Sequence, residues 1–231
     1  MSTNTSAPSR WTSSLAKEFA VGITGIMLVL FLFVHMAGNL LIFAGAETFN
    51  AYPEKLRSMG ALFWAARIGL IAAFVIHMSL AASLAKASRK ARTNRYESQQ
   101  YVGRKSPATR FMILTGIIVL CYLILHLWQF TLSSHEGARA TLGGEEQGLY
   151  GVVWNTFANP GWSLLYIFAL CAVASHLSHA IASVVVTLGV LSDKNTAKAD
   201  IAARLIALVL FVGFASVPVY ILFKTFTGGA G

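Results

Sequence analysis

Charged side chains are scarce in this chain. Only 12% of its 231 residues are Asp, Glu, Lys or Arg, whereas 56% are hydrophobic. Soluble domains carry about 25% charged residues, so this composition argues against a soluble domain and favours a protein that crosses a membrane several times. The net charge of +9 does not indicate nucleic-acid binding, because most of the basic residues cluster in a segment between two apolar runs.

Cysteine and proline are scarce as well. Cys121 and Cys171 are the only cysteines, and both lie inside apolar runs, which argues against a disulfide framework and indicates two small buried side chains. Proline is absent from every apolar run except the last, where Pro218 predicts a kink. The polar N-terminus lacks the layout of a signal peptide, and the run that follows it is too long for a signal-peptide core.

Long apolar runs are abundant in the sequence. About 20 consecutive apolar residues cross a bilayer as a helix. Five runs reach this length: 19–44, 62–85, 111–132, 162–191 and 201–223. The sequence therefore predicts an all-α integral membrane protein, with five transmembrane helices forming one membrane domain over residues 1–231. The fourth run exceeds the minimum length, so its helix is expected to tilt or to extend past the membrane.

Charges between the runs predict the orientation. Basic residues crowd the segment between the second and third runs: Lys86, Arg89, Lys90, Arg92, Arg95, Arg104, Lys105 and Arg110. The segment between the third and fourth runs carries Glu136, Glu145 and Glu146 against Arg139. Because cytoplasmic loops carry an excess of Lys and Arg, this contrast predicts a cytoplasmic N-terminus and a C-terminus on the outside.

Four histidines lie in four separate apolar runs: His35, His77, His126 and His176. An ionisable side chain in hydrocarbon is costly and marks a functional site by default. Each histidine comes late in its helix, and successive helices cross in opposite directions. His35 and His126 (the outer pair) are therefore expected in the outer half of the membrane, and His77 and His176 (the inner pair) in the inner half. At about 1.5 Å per residue, the two levels differ by roughly 10 Å.

Two levels with two histidines each predict two haems. Haem iron accepts imidazole ligands from facing helices of a bundle. His35 and His126 are the expected iron ligands of the outer haem, and His77 and His176 those of the inner haem.

His179 is the alternative to His176. It lies about one turn further along the same run, on much the same helix face. His77 lies 13 residues after Trp64 and His176 lies 14 after Trp162, whereas His179 lies 17 after that tryptophan. Since both tryptophans are plausible interface residues, this count places His176 closer to the depth of His77.

Other uses of membrane histidines remain open. Any single one could hydrogen-bond to a neighbouring helix. The ligands of a metal-ion site converge on one point, which these four do not. A proton relay usually includes membrane carboxylates, and none of the runs has one in its middle.

The first and third runs share a short motif. Thr24-Gly25-Ile26 precedes His35, and Thr115-Gly116-Ile117 precedes His126, with the same spacing. Both runs are expected to cross the membrane in the same direction and to present like features at like depths. The two glycines fall near the inner level, where small residues leave room for a flat macrocycle or for close helix contact.

Further motifs accompany the histidines along nearly the whole chain: His35-x-x-x-Asn39, Gly45-Ala46-Glu47-Thr48-Phe49-Asn50, Thr115-Gly116-Ile117-Ile118, His126-Leu127-Trp128, and His176 ahead of Gly189. Together with His77 in the second run, they resemble the five-helix, two-haem cytochrome b anchor of succinate:quinone oxidoreductases, the family of succinate dehydrogenases and quinol:fumarate reductases.

The resemblance implies a di-haem b subunit of a cytoplasmic (inner) membrane. It would transfer electrons between a quinone, expected to be menaquinone, and a cytoplasmic iron–sulfur subunit. Dicarboxylate chemistry would take place on a flavoprotein subunit with FAD, so no catalytic residue is expected in this chain. A dimer of the whole complex also fits the resemblance. The direction, succinate oxidation or fumarate reduction, stays open.

The resemblance also implies a quinone site near the outer haem, where Glu54 and Glu47 are the acids of the first outer loop. Either could instead be a solvated loop charge. Some fumarate reductases of the family carry a proton-conducting glutamate two residues before the fourth-helix ligand. Ala174 stands there in this chain, which puts such a proton path in doubt.

Two other functions fit the membrane histidines. One is the cytochrome b subunit of a nitrate reductase, hydrogenase or formate dehydrogenase. The other, from a different class, is a transporter or channel with functional histidines.

Overall fold

Helices dominate the structure. The computed structural model describes residues 14–91, 107–189 and 196–228. Seven α-helices lie within these ranges: α1 (Ser14–Leu40), α2 (Ala46–Ser58), α3 (Ala61–Ala91), α4 (Pro107–Leu127), α5 (Gly148–Ala158), α6 (Pro160–Thr187) and α7 (Thr196–Phe226). Five of them, α1, α3, α4, α6 and α7, are long and apolar enough to cross a membrane. This confirms the five predicted apolar helices of a multi-pass membrane protein.

The observed spans follow the predicted runs closely: Ser14–Ala44, Ala61–Ser88, Phe111–Leu132, Pro160–Thr187 and Thr196–Phe226. The third has the predicted bounds, and the others differ by a few residues at their ends. Helix α7 continues through Pro218, which is buried within it. The basic segment that sets the predicted orientation lies largely outside the described residues.

Local chemistry fixes both ends of α6. The side chain of Asn159 caps its first turn by accepting hydrogen bonds from the backbone N–H groups of Gly161 (2.9 Å) and Trp162 (3.3 Å), with Pro160 at the first helical position. After the last turn, Gly189 has φ +69°, a left-handed conformation that ends many helices. The helix therefore stops before the predicted residue 191.

Short elements fill the connections on one side of the bundle. A 3-10 turn over Leu41–Ala44 leads from α1 towards α2, and a π-helical turn over Trp128–Leu132 follows α4. Beyond it, Thr141–Leu142 (β1) pairs antiparallel with Glu145–Glu146 (β2), ahead of α5. Hydropathy gives no signal for these elements, because they are too short or too polar to resemble a membrane span.

Asn50 joins the two short helices. Its side-chain amide donates to the backbone oxygen of Gln147 (2.8 Å), and its side-chain oxygen accepts from the backbone N–H of Tyr150 (3.0 Å). Around this junction, aromatic and aliphatic residues form the main buried cluster of the described chain: Ile42, Phe49, Tyr150, Val153, Trp154, Phe157, Tyr166, Val217 and Ile221. Burial, with a smaller effect of Tyr220, raises the pKa of the Tyr150 hydroxyl.

Helix packing within the membrane is uneven. The closest association is between α6 and α7, where Ala199, Ala203 and Ala207 form a buried stripe of small residues that lets the backbones approach. Helix α1 packs chiefly on α3, and α4 chiefly on α6. Two antiparallel helix pairs, α1 with α3 and α4 with α6, therefore carry the four histidines.

Candidate functional site: two histidine pairs in the membrane spans

The structure brings the outer pair together. The imidazole ring centroids of His35 in α1 and His126 in α4 lie 5.7 Å apart, and their planes are nearly perpendicular at 85°. Metal–imidazole bonds are about 2 Å long, so an ion held between two imidazoles separates the ring centroids by roughly 6 Å. The observed spacing therefore fits one metal ion between these two rings.

Aromatic rings surround the outer pair. Phe31 stacks on the ring of His35 with a centroid distance of 5.3 Å, and Phe130 lies 5.3 Å from the ring of His126. The ring of Tyr122 lies 5.8 Å from that of His126. These rings give the two imidazoles a largely aromatic lining, and an apolar surrounding of this kind tunes a bound metal where one is present.

The ring nitrogens of the outer pair have few hydrogen-bond partners among the described residues. Nδ1 of His126 is buried without a hydrogen-bond partner among the described residues. Nε2 of His35 lies 3.3 Å from the side-chain nitrogen of Asn39, which also donates to the backbone oxygen of His35 (2.8 Å). Buried polar atoms normally have partners, so the orphaned nitrogen is one that a ligand can satisfy.

The inner pair is held differently. Nδ1 of His77 lies 3.1 Å from the backbone oxygen of Val21 and 3.3 Å from the hydroxyl oxygen of Thr24. Both partners belong to α1, whereas His77 belongs to α3.

His176 has the same arrangement on the other helix pair. Its Nδ1 lies 3.2 Å from the hydroxyl oxygen of Thr115, and it also hydrogen-bonds to the backbone of Met112. Both partners belong to α4, whereas His176 belongs to α6. His77 and His176 are close enough to interact electrostatically.

These contacts fix which nitrogen of each inner ring carries the proton. A backbone oxygen can only accept a hydrogen bond, so Nδ1 of His77 must carry the proton and Nε2 keeps a free lone pair. The same reasoning applies to His176. A metal-ligating histidine characteristically donates its other ring N–H to a backbone oxygen or a carboxylate. Both inner histidines are therefore in the tautomer that binds metal through Nε2.

The glycines of the repeated motif lie against the inner rings. A Cβ built on Gly25 would lie 3.3 Å from Cε1 of His77, and one built on Gly116 would lie 3.6 Å from Cε1 of His176. Each glycine thus lies against the imidazole of a histidine on the neighbouring helix. Both halves of the Thr-Gly motif support a histidine of the next long helix, a link that the sequence repeat alone did not reveal.

Three further predicted site residues, His179, Glu47 and Glu54, lie outside the two pairs, as does His135 of the connection after α4. His179 is half-buried in α6 and interacts electrostatically with His176. Nε2 of His135 lies 2.9 Å from the backbone oxygen of Phe130, within the connection after α4. Glu47 and Glu54 are exposed on α2, and their predicted role in quinone binding stays a prediction.

Arg67 is a residue that sequence reasoning missed, although an arginine inside an apolar run is itself a signal. Its guanidinium lies over the rings of Phe63 (5.3 Å) and Trp64 (5.4 Å), a cation–π arrangement. Gly25 of α1 lies beside His77 of the antiparallel α3. Because Arg67 precedes His77 by as many residues as His35 follows Gly25, Arg67 lies near the depth of the outer pair.

A second missed feature is a buried polar contact beside the outer pair. The hydroxyl of Tyr166 donates to the side-chain oxygen of Gln129, and both residues are buried. Gln129 lies on the π-helical turn that directly follows α4, and such turns occur frequently at functional sites. The guanidinium of Arg139 donates to the backbone oxygen of Gln129 (3.2 Å).

No protein-family profile, curated protein or solved structure matches this chain. Among residues 14–91, 107–189 and 196–228, no group of three or more His, Cys, Asp or Glu side chains is placed to hold a metal ion. The four histidines offer two ligands at each of two places, which is the number that a haem iron takes from a protein when the macrocycle provides the other four.

Proposed function

We propose that this chain is the di-haem cytochrome b membrane subunit of a succinate:quinone oxidoreductase complex, with electrons passing between a quinone and a cytoplasmic iron–sulfur subunit. The outer pair carries the proposal: two imidazoles 5.7 Å apart, from two helices, in an aromatic setting. A bound haem supplies one-electron redox chemistry.

The residues of this chain would bind the iron and set its surroundings. His35 and His126 would bind the outer haem iron, and Nε2 of His77 and Nε2 of His176 the inner one. The backbone oxygen of Val21 would orient the His77 ring by accepting the Nδ1 proton. The aromatic lining around His35 and His126 would exclude water and so favour the less charged state of the iron.

The wider assembly rests on the motif resemblance. It includes a flavoprotein with FAD, an iron–sulfur subunit, menaquinone as the quinone, and residence in the inner membrane with the N-terminus in the cytoplasm. Co-purification of an FAD protein with the chain supports this assembly. Co-purification of a molybdenum or nickel protein would assign the chain to a nitrate reductase, formate dehydrogenase or hydrogenase type instead.

A reduced-minus-oxidised spectrum of membranes that contain the protein tests the haem proposal. We expect two b-type components. Substituting either outer histidine (His35→Ala or His126→Ala) should remove one and the same component, and substituting either inner histidine (His77→Ala or His176→Ala) should remove the other. Absence of b-type bands in the parent protein would exclude both cytochrome functions and leave the transporter.

Two matched controls sharpen this experiment. His135→Ala changes a histidine of the connection after α4 and should leave both components in place. His179→Ala should also leave both, because the contacts with Thr115 and Gly116 belong to His176. Retention of both components in His176→Ala with loss of one in His179→Ala would reverse that assignment. The pairing would be wrong if His35→Ala and His77→Ala removed the same component.

We place the quinone near α2, where Glu54 and Glu47 are exposed acids that could exchange protons with it. Glu54→Gln should slow quinone turnover while both haem components remain. Unchanged quinone kinetics would remove Glu54 from the site and direct the same test to Glu47.

A further inference from the structure

We infer that Thr24 and Thr115 are matched positioning residues for the inner pair, and that their hydroxyls tune the redox potential of the inner haem alone. The inference rests on the proposed function. Apolar membrane helices can form and pack without these two hydroxyls, so the inference gives them a separate role.

The direction of each hydrogen bond follows from the hydroxyl proton. The Thr24 hydroxyl lies 2.7 Å from the backbone oxygen of Ala20 and 3.1 Å from that of Val21, and its single proton is donated to these acceptors. Its remaining lone pair then accepts the Nδ1 proton of His77, 3.3 Å away. That imidazole proton is thus shared between two acceptors on α1.

Thr115 repeats the arrangement on α4. Its hydroxyl lies 3.0 Å from the backbone oxygen of Phe111 and 3.1 Å from that of Met112, and its oxygen lies 3.2 Å from Nδ1 of His176. The two threonines come from different helices, yet both act on histidines of the same pair. A coincidence of ordinary helix packing would not select the two inner histidines and spare the outer ones.

The outer pair has no such hydroxyl. Nδ1 of His126 has no hydrogen-bond partner among the described residues, and the hydrogen bond that the His35 ring makes there is to the side-chain amide of Asn39. Threonine substitution at either motif should therefore affect one haem and leave the other unchanged.

The chemical effect has a defined sign. An acceptor on Nδ1–H makes the imidazole a stronger electron donor at Nε2, which stabilises oxidised iron and lowers the redox potential. Removing one of two acceptors weakens that donation. Thr24→Val and Thr115→Val, which keep the side-chain shape, should each raise the potential of the inner haem.

Threonines in helices often donate to the backbone oxygen four residues earlier without any other role. Thr156 of α5 does this, since its hydroxyl donates to the backbone oxygen of Val152 (2.7 Å). Thr156→Val is therefore the matched control, because it removes the same hydroxyl-to-backbone hydrogen bond at a threonine whose hydroxyl bonds to no histidine.

The test uses the full complex in its membranes and a redox titration of the b-type absorbance. Thr24→Val and Thr115→Val should move the same component to higher potential, each changing its reduction equilibrium by roughly tenfold, the low end of outer-shell effects at metal sites. The double variant should show about the product of the two changes, because each hydroxyl acts on a different ring. Thr24→Ser and Thr115→Ser should restore the parent value, and Thr156→Val should leave both components unchanged.

Three results would overturn the inference: shifts of two different components, shifts that serine does not restore, or unmoved potentials in a parent with two haems. Loss of the inner haem in a valine variant supports it when the serine variant keeps that haem, and contradicts it when serine loses the haem too. A parent without b-type bands overturns the proposed function and this inference with it.

Discussion

At the scale of single residues, the two histidine pairs differ in how tightly the protein holds them. The inner rings are bonded through Nδ1 to the neighbouring helix, whereas the outer rings rely on aromatic contacts. A ring that is fixed only by packing keeps the orientation that its neighbours impose, and for His35 and His126 that orientation is nearly perpendicular.

The perpendicular outer rings predict a spectroscopic signature. If His35 and His126 bind a haem iron as proposed, ligand planes at about a right angle would leave the iron d orbitals that overlap with them nearly equal in energy, and oxidised low-spin iron would be strongly anisotropic. Electron paramagnetic resonance of oxidised membranes should therefore show a highly anisotropic low-spin signal that His126→Ala abolishes and His77→Ala retains. A signal of ordinary rhombic shape that disappears in His126→Ala would contradict the observed ring geometry.

Gly25 predicts an asymmetry between the two halves of the motif. A Cβ at Gly25 would lie 3.3 Å from the His77 ring, which is tighter than most Cβ contacts, whereas one at Gly116 would lie at an ordinary 3.6 Å from the His176 ring. Gly25→Ala should displace His77, with an overpacking cost of about 1–3 kcal/mol, and lower the inner haem content.

Haem content and thermal stability of purified variants check this. Gly69→Ala is the matched control, because a Cβ there meets nothing within 4 Å. Equal losses in Gly25→Ala, Gly116→Ala and Gly69→Ala would show that the added methyl group acts through general helix packing and not through the imidazole contact, because alanine has the higher helix propensity.

At the scale of elements, α2 and α5 depend on each other through Asn50. Asn50→Ala would leave the backbone N–H of Tyr150 and the backbone oxygen of Gln147 without this partner. Each unsatisfied group in a part-buried position costs about 1–3 kcal/mol, so the midpoint of thermal unfolding should fall.

Lys55→Ala, an exposed change on the same helix, should leave that midpoint near the parent value. A parent-like midpoint in Asn50→Ala would mean that water replaces both bonds. In that case the two helices would be held together by the contact between Phe49 and Tyr150.

The sequence predicts the long helices well, because a membrane span is defined by hydropathy over about 20 residues. It predicts the ends of α6 less well, since the Asn159 cap and the left-handed Gly189 are local signals outside that average. The π-helical turn after α4 has no sequence period of its own. Gln129 on this turn bonds to Tyr166, a residue far along the chain.

The same division holds for the candidate site. Counting residues along the helices predicts the depth of each histidine in the membrane, and the four depths predict the two pairs. Counting could not give the bonds from His77 to Val21 and Thr24, because these depend on the rotation of α3 against α1. The repeated Thr-Gly motif is visible in the sequence, but the sequence does not show that each copy contacts a histidine of the next long helix.

At the scale of the whole molecule, Arg67 is the charged residue nearest the middle of α3, within a bundle of predominantly apolar spans. If the outer pair binds a haem iron as proposed, a cation near its depth would favour the reduced state of that iron. Arg67→Gln should lower the potential of the outer component and leave the inner one unchanged, as measured by redox titration of membranes.

Arg57→Gln removes an exposed cation from α2 and serves as the control for a general change in surface charge. Equal shifts in both variants would mean that Arg67 acts only through net charge. A change in the potential of the inner component alone would contradict the position of Arg67 near the depth of the outer pair.

The duplicated Thr-Gly arrangement has a geometric consequence. Helices α1 and α3 correspond to α4 and α6, and His35 meets its own counterpart, His126. His77 and His176 are counterparts as well, since each lies against the glycine of the preceding Thr-Gly motif. Each of the two helix pairs, α1 with α3 and α4 with α6, therefore supplies one histidine to the outer pair and one to the inner pair.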